Sequence, residues 1–267
     1  MAIIRIERPD DPRIAAFRDV RERDLTGREG LFVAEGAVVL NVLTAPESLC
    51  RPVALLLAEN RVEALGAVLA RLDPAVPVHV AAQEVLDAIA GFPLHRGILA
   101  VGEKPAAADP AVLLGGLDQD AVVVAVCEVG NHDNMGGIFR AAAAFGAGAV
   151  LLDRGCCDPF YRKAIRVSVG AVLRMPMATG LESAAMLDAL DAAGFETLAM
   201  TPSATERLSD VRPGGRRAIL LGAEGPGLPS AVIARCRAVG IRMAGGFDSL
   251  NVASAGAIAL HHFASRA

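Results

Sequence analysis

Apolar residues in the second half of the chain come in short unbroken runs parted by polar or glycine-bearing stretches. Residues 122–126 read Val-Val-Val-Ala-Val, the pattern of a strand buried on both faces. Comparable runs at 149–152, 197–200, 218–221 and 239–242 predict further strands. Stretches at 138–145, 181–193, 231–237 and 251–263 carry helical spacing. Strands alternating with helices predict an α/β domain whose parallel sheet is covered on both faces. Earlier in the chain the alternation is coarser, with strands expected at 53–58 and 97–101 and helices at 61–72 and 84–90. That is a small α/β domain, about the minimum size for a core of its own. Ahead of it, residues 5–29 carry seven arginines and seven acids and predict a charged helical arm. The Pro/Ala-rich stretch from Glu103 to Pro110 reads as a linker, so domains are expected at 1–105 and 111–267.

Composition narrows the class. The chain has 267 residues, 53% of them hydrophobic and 21% charged, which is a globular balance. No apolar run approaches the roughly 18 residues of a membrane span, and the stretch from Met1 to Glu7 has no apolar signal region. The reading is cytoplasmic. A net charge of −4 argues against a protein that coats nucleic acid, because phosphates must be neutralised by cations. The distribution is uneven, however. Arg154, Arg162, Lys163, Arg166 and Arg174 face a single acid, Asp158, over that stretch. Charge alone makes such a run a solvated face, and it gains interest only beside the loops described next. Cys50, Cys127, Cys156, Cys157 and Cys236 form no C-x-x-C pair and no Cys/His ligand spacing, so no metal site is expected.

Ligands of open parallel sheets bind at the carboxyl ends of strands. Three loops there are rich in Gly, Asn and Ser. The first runs from Gly130 to Ala142 and opens a helix, where glycines allow close backbone approach and free N–H groups attract an anion. Arg140 lies about one and a half turns into that helix and either faces the same site or pairs with an acid such as Glu128. Asn134 either serves the site or caps the helix. The second loop, Gly222-Ala223-Glu224-Gly225-Pro226-Gly227-Leu228, spaces its glycines G-x-x-G-x-G. That is neither a dinucleotide fingerprint nor a P-loop, and Glu224 alone would pass for a turn residue. The third runs from Ile241 through Gly245-Gly246-Phe247-Asp248-Ser249-Leu250-Asn251 into the last helix, with Ser249 or Asn251 suited to capping it.

In this order the three loops resemble the motifs of the SpoU/TrmH RNA methyltransferases: N-x-G-x-I-x-R, then G-x-E-G-x-G-L, then S-L-N-V-A. Between the first two, the segment from Arg166 to Ala171 is similar to the family's R-x-S-x-G-A. Leu31–Gly36 and His95–Ile98 resemble its N-terminal substrate-binding domain. The chain departs from the pattern after Arg140, where Ala-Ala replaces a hydroxylated residue followed by Ala.

The resemblance implies S-adenosylmethionine (SAM) as cofactor, tRNA or rRNA as partner, and methyl transfer to a ribose 2′-hydroxyl. It also implies a C-terminal parallel-sheet domain with a trefoil knot, a small ribosomal-protein-like α/β domain before it, and a homodimer. By motif position, backbone groups of Gly222, Ile241 and Leu250 would hold the cofactor. Arg140 would do the catalytic work, with Asn134, Glu224, Ser249 and Asn251 positioning it, the ribose and the loops. Arginine side chains titrate above about 12, so stabilising a developing alkoxide and orienting the neighbouring phosphate suits one better than general-base action. A catalytically silent RNA-binding relative is the alternative. A nucleotide-dependent oxidoreductase would need a G-x-G-x-x-G after the first strand, and the chain has none there.

Overall fold

The computed structural model describes residues 3–18, 30–91, 94–245 and 248–264. Contacts divide the chain into two compact units, Met1–Pro105 with Asp158–Arg174, and Ala106–Cys157 with Met175–Ala267.

The first unit is built on a five-stranded sheet of order β1-β4-β3-β5-β2, from β1 (Ile3–Ile6), β2 (Leu31–Glu35), β3 (Arg51–Ala58), β4 (Val78–Ala81) and β5 (Ile98–Glu103). β1, β4 and β3 run parallel, while β5 is antiparallel to both β3 and β2. Helices α1 (Ala37–Leu43), α2 (Gly66–Leu69) and α3 (Gln83–Ala90) accompany it. Leu86 and Ile89 of α3 join Ile6, Ile14, Phe17, Leu56 and Leu99 in one core. Two expectations change here. The stretch read as a charged arm begins as strand β1 and a 3-10 segment, Pro12–Phe17, because Ile6, Ile14 and Phe17 are buried core residues; residues 19–29 lie outside the described residues. The helix expected at 61–72 is two 3-10 turns followed by α2.

Residues 158–174, expected in the second domain, also pack in this unit. Phe160 stacks at 5.4 Å on Phe32, whose ring lies over Gly102, where a Cβ would come within 2.3 Å of it. Lys104 Nζ bonds Asp158 Oδ2 at 2.6 Å, Arg162 faces Glu35 at 3.5 Å, and Leu49 N–H donates to Leu173 O at 2.8 Å. Helix α6 (Arg162–Val167) packs on β2.

The second unit holds a six-stranded, wholly parallel sheet of order β11-β9-β10-β6-β7-β8. Its strands are β6 (Val122–Val126), β7 (Ala149–Asp153), β8 (Met177–Leu181), β9 (Glu196–Met200), β10 (Arg217–Leu221) and β11 (Arg237–Val239). Val123 to Val126 are fully buried, as a strand covered on both faces requires. Helices α4 (Pro110–Gly115) and α7 (Ser183–Ala192) pack on one core, through Leu114, Met186, Leu187 and Leu190. Helices α5 (His132–Ala144) and α9 (Val252–Ala264) pack on each other; α5 also contacts β7 and α9 contacts β10. They approach closely, since a Cβ on Gly137 would lie 2.7 Å from Ala253 Cβ. The short α8 (Ser230–Ile233) ends before Arg237, which joins β11 instead of the helix expected at 231–237. Among the described residues no helix is long and apolar enough to cross a membrane.

Candidate functional site

β6 and β10 are neighbours in the sheet, and the chain leaves them in opposite directions, towards β7 and towards β11. That is a topological switch point, where open parallel sheets take their ligands. The first two Gly-rich loops both start there.

In the first loop, Asn131 is the cap of α5: its Oδ1 accepts from Asp133 N–H at 2.8 Å and Asn134 N–H at 3.3 Å. The side chain of Asn134, only 6% exposed, is thereby free for another partner. The second loop is a tight reversal. Gly227 N–H donates to Ala223 O, and Gly225 and Gly227 take positive φ of 86° and 71°. A Cβ on Gly222 would lie 2.6 Å from Leu228 N, so the first glycine lets the loop close on itself. In the third loop, Gly246 and Phe247 lie outside the described residues. Of the two cap candidates it is Asn251 that caps α9, through Oδ1 on Ala253 N–H (3.0 Å) and Ser254 N–H (3.2 Å).

Asn251 then joins the three loops. Its Nδ2 donates to Asn134 Oδ1 at 2.8 Å and to Glu224 Oε1 at 2.9 Å. Two donors and two accepted bonds use the full capacity of one amide. Beside this junction is a cavity of about 510 Å³, lined by Gly222, Glu224, Ile241, Ser249, Leu250 and Asn251 among the candidates. Met200, Leu221, Met243 and Val252 add apolar wall, and Thr201 and Pro202 close the side at the end of β9. The loop after β9 was not singled out in the sequence; the carboxyl-end rule for the run at 197–200 would have found it.

Arg140 stands apart. It is exposed, and it shares the α5 stripe of Asp133, Gly137 and Ala144. It makes no hydrogen bond or ion pair among the described residues, so the pairing with Glu128 does not form, and it does not line the cavity. Burial pushes the Cys127 thiol, just past the end of β6, up to about 12 and raises that of Cys156 as well. In the basic stretch, Arg154 pairs with Glu182, while Arg166 and Arg174 are exposed.

The sequence model of the SpoU rRNA Methylase family matches residues 121–261. An uncharacterised tRNA/rRNA methyltransferase of Mycobacterium bovis is 39% identical over 95% of this chain and 88% of its own. A 23S rRNA (guanosine-2′-O-)-methyltransferase of a Burkholderia species is 32% identical over 66% of this chain and 72% of its own. Among solved structures, the AdoMet-bound rRNA methyltransferase of Sinorhizobium meliloti has the same fold, with a TM-score of 0.80 at 24% identity over 99% of this chain and 98% of that one.

Proposed function

The chain belongs to the SpoU rRNA methylase family, and from that premise we propose that it transfers the methyl group of SAM to a ribose 2′-hydroxyl of RNA. The observation that carries this reading is the Asn251 amide, which ties the three motif loops together at the rim of the cavity. The cavity suits SAM. Met200, Leu221, Ile241 and Met243 offer apolar surface for an adenine ring and a hydrocarbon chain, and Glu224, Ser249 and Thr201 offer polar groups. Gly225 and Gly227 leave open space where side chains would stand.

Bound SAM supplies an electrophilic methyl group on a sulfonium sulfur. Gly222, Ile241 and Leu250 hold the cofactor through their backbone groups, and Asn134, Glu224, Ser249 and Asn251 fix the loops around it. Arg140, exposed and without a partner among the described residues, orients the substrate phosphate and stabilises the alkoxide character that develops as the ribose oxygen takes the methyl group and its proton passes to water. Such positioning supplies a large share of the rate in a direct displacement. The first unit and the basic residues of 154–174 supply grip on the RNA backbone. The reaction named for the Burkholderia relative supports ribose as the acceptor, and the mycobacterial relative's name spans both tRNA and rRNA. The same reading extends to a knotted second unit and to a homodimer; sedimentation equilibrium checks the dimer.

The test uses methyl-tritiated SAM, total RNA and alkaline hydrolysis. A 2′-O-methyl group protects its neighbouring linkage, so the label is expected in alkali-resistant dinucleotides. Label confined to mononucleotides would put the methyl group on a base and overturn the reading. SAM binding with no transfer to any RNA would favour the silent relative.

A further inference from the structure

Glu128, at the carboxyl end of β6, has φ of 58°. A residue with a Cβ is uncommon in this left-handed region, and such strain persists only where the surroundings impose it. The surroundings here centre on Asp153, the last residue of β7. Asp153 is only 4% exposed. Oδ1 accepts the N–H of Glu128 at 3.0 Å and of Gly155 at 3.0 Å, and Oδ2 accepts the hydroxyl of Ser183 at 3.0 Å. The β7–β8 ladder shifts register between Leu151 and Asp153, an irregularity of the kind that re-aims a side chain. Gly155 completes the arrangement, since a Cβ there would come within 2.9 Å of Glu128 Cγ. Three residues beyond Glu128 stands Asn131, the cap of α5, and three beyond that Asn134, the partner of Asn251.

We propose that Asp153 is a positioning residue for methyl transfer: by holding Glu128 in its left-handed conformation it sets where α5 starts, and so where Asn134 and Arg140 stand. This rests on the function proposed above. Asp153 lines no part of the cavity and acts only through the backbone of residues 128–131.

In Asp153→Ala the Glu128 backbone relaxes and the start of α5 shifts. Turnover with RNA and SAM saturating is expected to fall about 10- to 100-fold, the scale of a small misplacement of reacting groups. SAM affinity measured by calorimetry stays close to that of the parent, because the Asn251–Glu224 bond and the α9 cap remain. Asp153→Asn recovers most of the turnover, since its carbonyl oxygen still accepts both N–H groups and its amino group can donate to Ser183. The decisive variant is Glu128→Gly in the Asp153→Ala background. Glycine takes a positive φ unaided, so turnover rises again there. Amide exchange at residues 128–134 quickens in Asp153→Ala and slows again in the double variant.

Full turnover in folded Asp153→Ala, or a double variant no more active than the single one, overturns the proposal. A lower melting temperature with unchanged turnover per folded molecule also overturns it, because that is a merely structural role. If Asp153→Ala does not fold, Ser183→Ala removes one anchor of the carboxyl group and is expected to give a smaller loss of turnover; unchanged turnover and exchange in that variant overturn the idea equally. The exchange measurement needs no RNA, so a parent enzyme that fails to methylate RNA counts against the proposed function and leaves this test standing.

Discussion

Replacing Asn251 by serine separates two jobs done by one side chain. Its Oδ1 caps α9, and its Nδ2 bridges Asn134 and Glu224. A serine hydroxyl still caps a helix, but it is too short, and has too few donors, to reach both partners. A net hydrogen bond contributes about 0.5–1.5 kcal/mol. The bond to Glu224 is exposed and belongs at the lower end, whereas the bond to Asn134 ends on a residue only 6% exposed. Leaving that acceptor unpaired costs about 1–3 kcal/mol. Asn251→Ser therefore loses about 2 kcal/mol, and Asn251→Ala about 1 kcal/mol more with the cap. For a domain of this size each kcal/mol moves the melting temperature by about 2–4 °C. The second unit's transition should then drop by roughly 4–8 °C in the serine variant and roughly 6–12 °C in the alanine variant.

Calorimetry supplies both readouts, the melting of the second unit and the affinity for SAM. Because Asn251 and Glu224 both line the cavity, SAM affinity should fall about tenfold in Asn251→Ser, the equivalent of about 1.4 kcal/mol. An Asn251→Ser protein that melts and binds SAM like the parent would make the bridge incidental and remove the main support for the site. Equal losses in the serine and alanine variants would show that the cap reasoning is wrong.

Arg140→Ala should lower single-turnover methylation about 100-fold, as loss of an oxyanion stabiliser does, while Arg140→Lys rescues poorly for want of a planar fork; near-normal turnover in the alanine variant takes Arg140 out of the mechanism. Gly222→Ala puts a Cβ against the backbone of Gly227 and Leu228, so it should cost SAM affinity in a protein that still folds, and unchanged affinity would refute that loop's part in the pocket. Burial, and then the charge of Arg13, holds His79 below its ordinary 6.5. The unfolded chain thus takes the proton first, so the stability tied to neutral His79 is complete above about pH 6.5 and is lost as pH falls through the lower folded value. Urea unfolding of His79→Leu should show a shallower loss of stability as pH falls below about 6.5, and an unchanged slope would contradict this account.

The four inner strands of the second unit follow their hydrophobic pattern closely because parallel strands buried on both faces leave unbroken apolar runs, and 122–126 becomes β6 residue for residue. The edge strands do not: the run at 239–242 gives only Val239 to β11, and the partly exposed β8 was not among the expected strands. The first unit is less readable for a physical reason. β1 begins with the exposed Ile3 and is followed by charged residues, so its apolar signal is diluted, and only its pairing with β4 makes it a strand. Residues 158–174 carry no mark of where they pack. Their placement depends on Phe160 finding Phe32 and Lys104 finding Asp158, contacts between residues far apart in the chain.

The site divides along the same line. Loop chemistry was readable residue by residue: glycines that allow close backbone approach, amides suited to capping, an arginine one and a half turns into a helix. Which amide caps α5 was not readable: Asn134 was weighed as its cap, Asn131 was not singled out, and only the backbone path out of β6 gives the cap to Asn131. That path is set by Asp153, which ends an otherwise apolar run and gives no local signal of its partners at Glu128, Gly155 and Ser183. The capping choice has a direct consequence for chemistry. Had Asn134 capped α5, its Oδ1 would be spent on backbone N–H groups, and Asn251 would have only Glu224 to hold. Because Asn131 takes the cap, Asn134 is left to join the helix that carries Arg140 to the loops that line the cavity.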